Sequence, residues 1–173
     1  MKTISTLRLA IASVLALGAM NANAAGADSA TMTVTAEIVN SCVINVANMD
    51  FGQYDPVDNN SATGSDSSAT ADLTAACTLG SAPVVKLDSG TVLTTADNAN
   101  RALLATSGAA LTASATLGYG LYSGAGVLWN NTAGETIIAD GTNHNKTIYG
   151  VIPKGQNRPT GNYSKAVQVE ISF

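Results

Sequence analysis

Residues 31–38 alternate strictly, with Met32, Val34, Ala36 and Ile38 on one face and Thr31, Thr33, Thr35 and Glu37 on the other. A period of two over this length, rich in β-branched side chains, predicts a strand with one buried face. Residues 42–46, 71–77 and 83–87 predict further strands, the last ending in the turn signal Asp88-Ser89-Gly90. Between them, residues 55–68 are a turn and loop zone of Pro, Asp, Asn, Ser and Gly. Alternation returns at 117–122, with Leu117, Tyr119 and Leu121 on one face and Tyr122 on the other, and strands are expected at 127–129 and 147–152, where Pro153 stops the run. Residues 94–115 are ambiguous: Ala102-Leu103-Leu104-Ala105 passes for a helical turn, but no 3.6-residue period is sustained. In residues 163–173, Tyr163, Lys165, Val167, Val169, Ile171 and Phe173 take alternate positions, which predicts a terminal strand. Many short strands separated by turn signals point to an all-β sandwich.

The first residues follow another grammar. Lys2 and Arg8 flank a polar start, residues 9–20 are almost all apolar, and Ala22-Asn23-Ala24 supplies small residues at an expected cleavage site. Residues 1–24 therefore predict a secretory signal peptide, too short to span a bilayer, which takes about 20 apolar residues. About 150 residues remain, enough for one domain. They hold six basic side chains (Lys86, Arg101, Lys146, Lys154, Arg158, Lys165) against 12 acidic ones. Nucleic acid and anionic lipid both need clustered Lys and Arg, so neither is expected as a partner, and no membrane insertion is expected. Two cysteines, Cys42 and Cys77, in an exported chain predict one disulfide.

Candidate chemistry is sparse. His144 is the single histidine, set in the polar turn Gly141-Thr142-Asn143-His144-Asn145, and reads as a solvated loop residue rather than a general base. No G-x-S-x-G, H-E-x-x-H or phosphate-cradling Gly loop is present. Asp55, Asp58, Asn59 and Asn60 crowd oxygens together without the spacing of a calcium loop, so a solvated acidic loop is the better reading. The sequons at Asn59, Asn130, Asn145 and Asn162 matter only in a glycosylating host. Trp129 with Tyr119 and Tyr122 makes either core packing or a sugar platform, and core packing is the expectation. Catalysis, a cofactor and a metal are not expected.

The two alternating segments at opposite ends of the mature chain stand out. They can pair within one subunit, or between subunits, with one extending an acceptor sheet and the other providing its edge. The residues by themselves leave both arrangements open. Phe51-Gly52-Gln53-Tyr54-Asp55-Pro56 and Cys77-Thr78-Leu79-Gly80 are followed by Val85-Lys86-Leu87-Asp88-Ser89-Gly90, Arg101, Leu117-x-Tyr119-x-Leu121-Tyr122-Ser123 and Trp129. Residues 147–156 (Thr-Ile-Tyr-Gly-Val-Ile-Pro-Lys-Gly-Gln), Gly161-Asn162-Tyr163 and the run ending in Phe173 complete the set. Over about residues 32–173 this resembles the spore coat protein U domain family and, within it, the major pilins of archaic chaperone–usher pili. Lys165 departs from the pattern, where an acidic residue is expected after the G-x-Y turn.

The resemblance implies an incomplete immunoglobulin-like β-sandwich, residues 41–173, completed by a donor strand within residues 25–40 of a neighbouring subunit. The donated side chains would be Met32, Val34, Ala36 and Ile38, and Val167, Val169, Ile171 and Phe173 would edge the acceptor groove and meet the chaperone. The implied partners are further copies joined head to tail, a periplasmic chaperone and an outer-membrane usher, in a cell-surface pilus for adhesion and biofilm formation. The alternatives are a monomeric secreted or tip-located module binding carbohydrate or a surface, and a spore-coat-like structural protein.

Overall fold

The structure is a computed structural model that describes residues 28–88 and 98–173. The signal peptide expected at 1–24 and the Ser89-Gly90 part of the turn signal lie outside the described residues. The chain divides at Glu37/Ile38 into two units.

In the first unit, the described residues 28–37 carry neither helix nor strand. The strand expected over 31–38 is therefore not formed within the chain, and the reason is physical. A strand exists through the hydrogen-bond ladder it makes with a neighbour, and the described residues pair none with this segment. Its apolar side chains stay exposed: Met32 by 82%, Val34 by 79% and Ile38, just across the division, by 86%.

The second unit is built from β1 (Cys42–Val46), β2 (Ser67–Cys77), β3 (Val84–Leu87), β4 (Arg101–Ala105), a short helix α1 (Gly108–Thr112), β5 (Thr116–Gly124), β6 (Val127–Leu128), β7 (Glu135–Thr136), β8 (His144–Ile152), β9 (Tyr163–Ser164) and β10 (Val169–Ser172). All pairings are antiparallel. One sheet runs β1-β2-β8-β5-β4-β9 with β6 beside β5, and a second runs β10-β3-β7. In an immunoglobulin-type sandwich, strands A-B-E-D face C-F-G. Here β1, β2, β8 and β5 take the first four places, and β3 and β10 take those of C and F. The place of G, along the outer edge of β10, holds no strand among the described residues. The fold is an all-β, immunoglobulin-like sandwich short of one strand.

Alternation decides which side chains enter the core. Ala71, Leu73, Ala75 and Cys77 of β2, Leu117, Tyr119 and Leu121 of β5, and Ile148 and Ile152 of β8 are buried, together with Val85 and Leu87 of β3 and Trp129. Gly150 of β8 also faces inward, where a Cβ would collide with Met49 Sδ and Phe51 Cζ; the missing side chain lets residues 49–51 cross close over the strand. The Phe51 ring then meets Tyr119 edge to face, with centroids 6.2 Å apart. The expected disulfide joins Cys42 to Cys77, register partners at the start of β1 and the end of β2, 35 residues apart. Closing a loop of that length removes roughly 4 kcal/mol of unfolded-chain entropy.

One ambiguity is resolved and one expectation needs correction. Ala102-Leu103-Leu104-Ala105 is not a helical turn but lies in β4, because its backbone pairs with β5 from Arg101↔Tyr119 to Leu104↔Thr116. The run 163–173 is not one strand. It splits into β9, paired with β4, and β10, paired with β3, so the chain crosses from one sheet to the other between them.

A polar cluster holds that crossing. Arg101, 8% exposed, ion-pairs with Asp88, donates from Nε to Asn98 Oδ1 (2.8 Å) and from its second terminal nitrogen to Leu87 O (3.3 Å). Asp88, in the left-handed region at φ 54°, accepts Gln168 N–H on Oδ1 (2.7 Å) and donates its own N–H to Gln168 O (2.6 Å). The Asn131 amide serves Leu87 as a strand partner would, accepting its N–H (2.9 Å) and donating to its carbonyl (2.7 Å). Burial pushes the Tyr119 phenol above its ordinary pKa, against the opposing charge and hydrogen bond of Arg101.

Candidate functional site

Along the vacant seventh-strand place the core is open. A groove of about 1130 Å³ runs between residues 46–56 on one side and residues 156–169 on the other. Leu117, Tyr119, Leu121, Ile148 and Ile152 form its floor, Met49, Phe51 and Tyr54 one wall, and Tyr163, Val167 and Val169 the other. Small-ligand pockets occupy about 300–1,000 Å³, so this is large for such a molecule. Its flank also suits a peptide: the unpaired edge of β10 presents backbone donors and acceptors along an apolar trough, the arrangement that accepts an added strand.

One end of the groove is locked by contacts between segments about 100 residues apart. The Tyr54 hydroxyl donates to Pro153 O (2.8 Å) and accepts Gln156 N–H (3.0 Å). The Gln156 amide accepts Gly118 N–H (2.8 Å) and donates to Gly118 O (2.8 Å), continuing the ladder of β5 with a side chain. Asn60, 7% exposed, accepts Asp55 N–H (2.9 Å) and donates to Ser65 O (2.9 Å), while Asp55 caps the N–H groups of Val57 and Asp58. These side chains shape a turn; that is what the oxygens grouped at 55–60 do.

The sequence-derived residues fall at definite places. Val167 and Val169 line the groove, and both, with Ile171, pack half-buried against the core. Phe173 follows the end of β10 and is 51% exposed. Met32, Val34, Ala36 and Ile38 are exposed and outside any strand. The wall made by Met49, Phe51 and Tyr54 was not expected. The Phe-Gly-Gln-Tyr motif and the lone Gly150 within a strand are the signals that point to it, since a strand glycine often marks close approach of another segment.

Two of the three aromatic residues considered for a sugar platform are core packing, as expected, while Tyr122 is half-buried. Trp129 is fully buried, with Nε1–H on Val85 O (3.3 Å), and Tyr119 is 4% exposed. Lys146 caps this region, its ammonium 5.7 Å from the Trp129 ring centroid and 2.8 Å from Glu135 Oε2. Burial raises the Glu135 pKa, but the bonds from Lys146 and the Asn130 N–H outweigh it and leave the carboxyl below its ordinary value.

His144, Asp140 and Thr142 do cluster, yet not as a catalytic triad. Asp140 Oδ1 (2.9 Å) and Thr142 Oγ1 (3.2 Å) both approach the same ring nitrogen, Nε2, whereas a relay holds the imidazole at one nitrogen and attacks through the other. Bonds from the Thr142 hydroxyl and N–H, then from His144, hold the Asp140 pKa down to about 2. A depressed carboxyl favours the folded state above its unfolded pKa and loses that contribution as pH falls through about 2. A carboxyl-carbon NMR titration should place the Asp140 midpoint there, and Thr142→Ala should move it toward the usual range; no movement would remove Thr142 as the main cause.

A model of the Spore Coat Protein U domain matches residues 28–170. "Protein U" of Myxococcus xanthus is 33% identical over 181 aligned positions covering 100% of both chains. Among solved structures, the chaperone–tip adhesion subunit pre-assembly complex CsuC–CsuE, from archaic chaperone–usher Csu pili of Acinetobacter baumannii, aligns at 17% identity with a TM-score of 0.49. That alignment covers 79% of this chain and 40% of the other. On the domain match and the full-length similarity, the chain belongs to the Spore Coat Protein U domain family.

Proposed function

We propose that the chain is a pilin, a structural subunit that polymerises head to tail by donor-strand complementation into a cell-surface fibre. Residues 25–40 act as the donor segment: Met32, Val34, Ala36 and Ile38 of one copy enter the groove of the next beside β10, and residues 41–173 form the acceptor. One observation carries this reading. The same chain leaves its core open beside a free strand edge and leaves a two-residue-period apolar stripe exposed. A joint between two different surfaces of identical subunits does not close on itself and generates a filament.

The rest of the biology follows from the exposed groove. An apolar trough of this size invites aggregation, so the exported subunit needs a periplasmic chaperone to cover it and an outer-membrane usher to exchange that cover for a neighbour's segment. The expected signal peptide supports the export route, and the resemblance to archaic pilins supports adhesion and biofilm formation as the fibre's role. The role is structural rather than catalytic.

Facing within the donor segment provides the test. Val34→Asp places an unpaired carboxylate against the groove floor, which costs several kcal/mol, whereas Thr33→Asp adds a charge on the outer face. Fibre yield on electron micrographs should fall at least about tenfold for the first and stay near wild type for the second. Equal yields would remove the assigned facing.

A further inference from the structure

We propose that Lys165 recognises Glu37 of the incoming donor segment and thereby sets the direction and partner preference of the joint. This rests on the donor-segment reading above and adds a specificity-determining pair to it. Among the described residues, Arg101 is paired with Asp88, Lys146 with Glu135, and the Lys154 ammonium with Gly64 O. Lys86, Arg158 and Lys165 form no ion pair among the described residues, and of these three Arg158 and Lys165 lie on the groove lining. Residues 28–38 carry Asp28 and Glu37 and no Lys or Arg. The groove lining balances overall, with Asp50 and Asp55 on the side of residues 46–56 and Arg158 and Lys165 on the side of residues 156–169, so only the second side presents charge opposite to the segment's.

Direction singles out one pair. Every strand pairing in the sandwich is antiparallel, and a strand in the seventh place of this fold continues that pattern. A donor antiparallel to β10 sets its C-terminal end, with Glu37 and Ile38, beside the residues that precede Val169. Lys165 lies there, four positions before β10 begins, and is exposed. With Ile38 facing the floor, Glu37 stands on the outer face of the added strand. The lysine stem lets its ammonium reach that face from the groove's mouth.

An exposed pair adds little to a finished joint, a few-fold in equilibrium at most, and acts chiefly on encounter and on rejection of wrong partners. The test is a charge swap in the full-length exported chain, reading the initial polymerisation rate by light scattering with fibre length checked by electron microscopy. At low ionic strength, Lys165→Glu and Glu37→Lys should each slow assembly about three- to tenfold. The double variant should return to within about twofold of wild type, and wild type should dominate when mixed with either single variant. At about 1 M salt, where the screening length is about 3 Å, the differences should collapse below about twofold. Unslowed single variants, or no rescue in the double variant, overturn the pairing while Val34→Asp still blocks assembly. If Val34→Asp also assembles normally, the donor-segment reading itself falls.

Discussion

Removal of residues 25–39 is expected to abolish fibres completely while leaving a folded, exportable subunit. The deletion takes the exposed stripe and nothing of the acceptor, since the groove lining begins at Val46 and the disulfide at Cys42. Such a subunit can receive a strand but not give one. Added to wild-type chains in small proportion, it should cap growing ends and shorten fibres, an effect that simple misfolding would not produce. Electron micrographs of the exported product, with length distributions across a mixing series, provide the measurement. Fibres from the deleted chain alone, or unchanged lengths in the mixtures, would sink the donor assignment.

Arg101→Met should lower the unfolding free energy of the subunit by about 3–5 kcal/mol, the cost of removing one partner of a buried pair and stranding the other. The side chains of Arg101 and Asp88 are 5% and 16% exposed, and methionine keeps much of the volume while losing the guanidinium. More than one contact goes with it. Asp88 holds Gln168 at the entry to β10, so the groove wall bearing Val167 and Val169 loses its anchor as well. Urea unfolding of chains kept monomeric by Val34→Asp would read the difference as a shift in midpoint at constant slope. Lys154→Met, at an exposed position, should stay within about 0.5 kcal/mol. A shift of similar size for both would mean that the polar cluster carries no special share of the stability.

Local pattern revealed much of this architecture, and the limits are instructive. Leu117, Tyr119 and Leu121 alternate in sequence and are all buried, because one face of β5 meets the core along its central residues. The cysteine pair was legible for a different reason, since the only two thiols of a chain expected to be exported have one another as partners. Ala102-Leu103-Leu104-Ala105 was not legible: small residues and leucines satisfy either period, and pairing with a strand about fifteen residues away decides. The break in 163–173 depends on an aspartate 80 residues upstream gripping Gln168, which no window on the run itself can register. The wall at 49–54 is likewise non-local, made possible by a missing side chain at Gly150. For residues 31–38 the alternation describes a strand whose partner the described residues do not supply.

The root of the N-terminal segment has a mechanical meaning. Thr78, one residue beyond β2, gathers it: Thr78 Oγ1 accepts Ser41 N–H (3.1 Å) and donates to Val39 O (3.3 Å), and Thr78 N–H donates to Ser41 O (2.9 Å). Beside these bonds lies the Cys42–Cys77 bridge. In a fibre assembled as proposed, tension arriving through a donated segment enters its subunit at residues 39–42 and crosses the covalent bridge into β2. That strand is paired on both sides, to β1 and to β8. The pull therefore bypasses the β1–β2 ladder instead of unzipping it from its end. Such a filament would part by withdrawal of a strand from its groove, with each link of the chain still folded and ready to be rejoined.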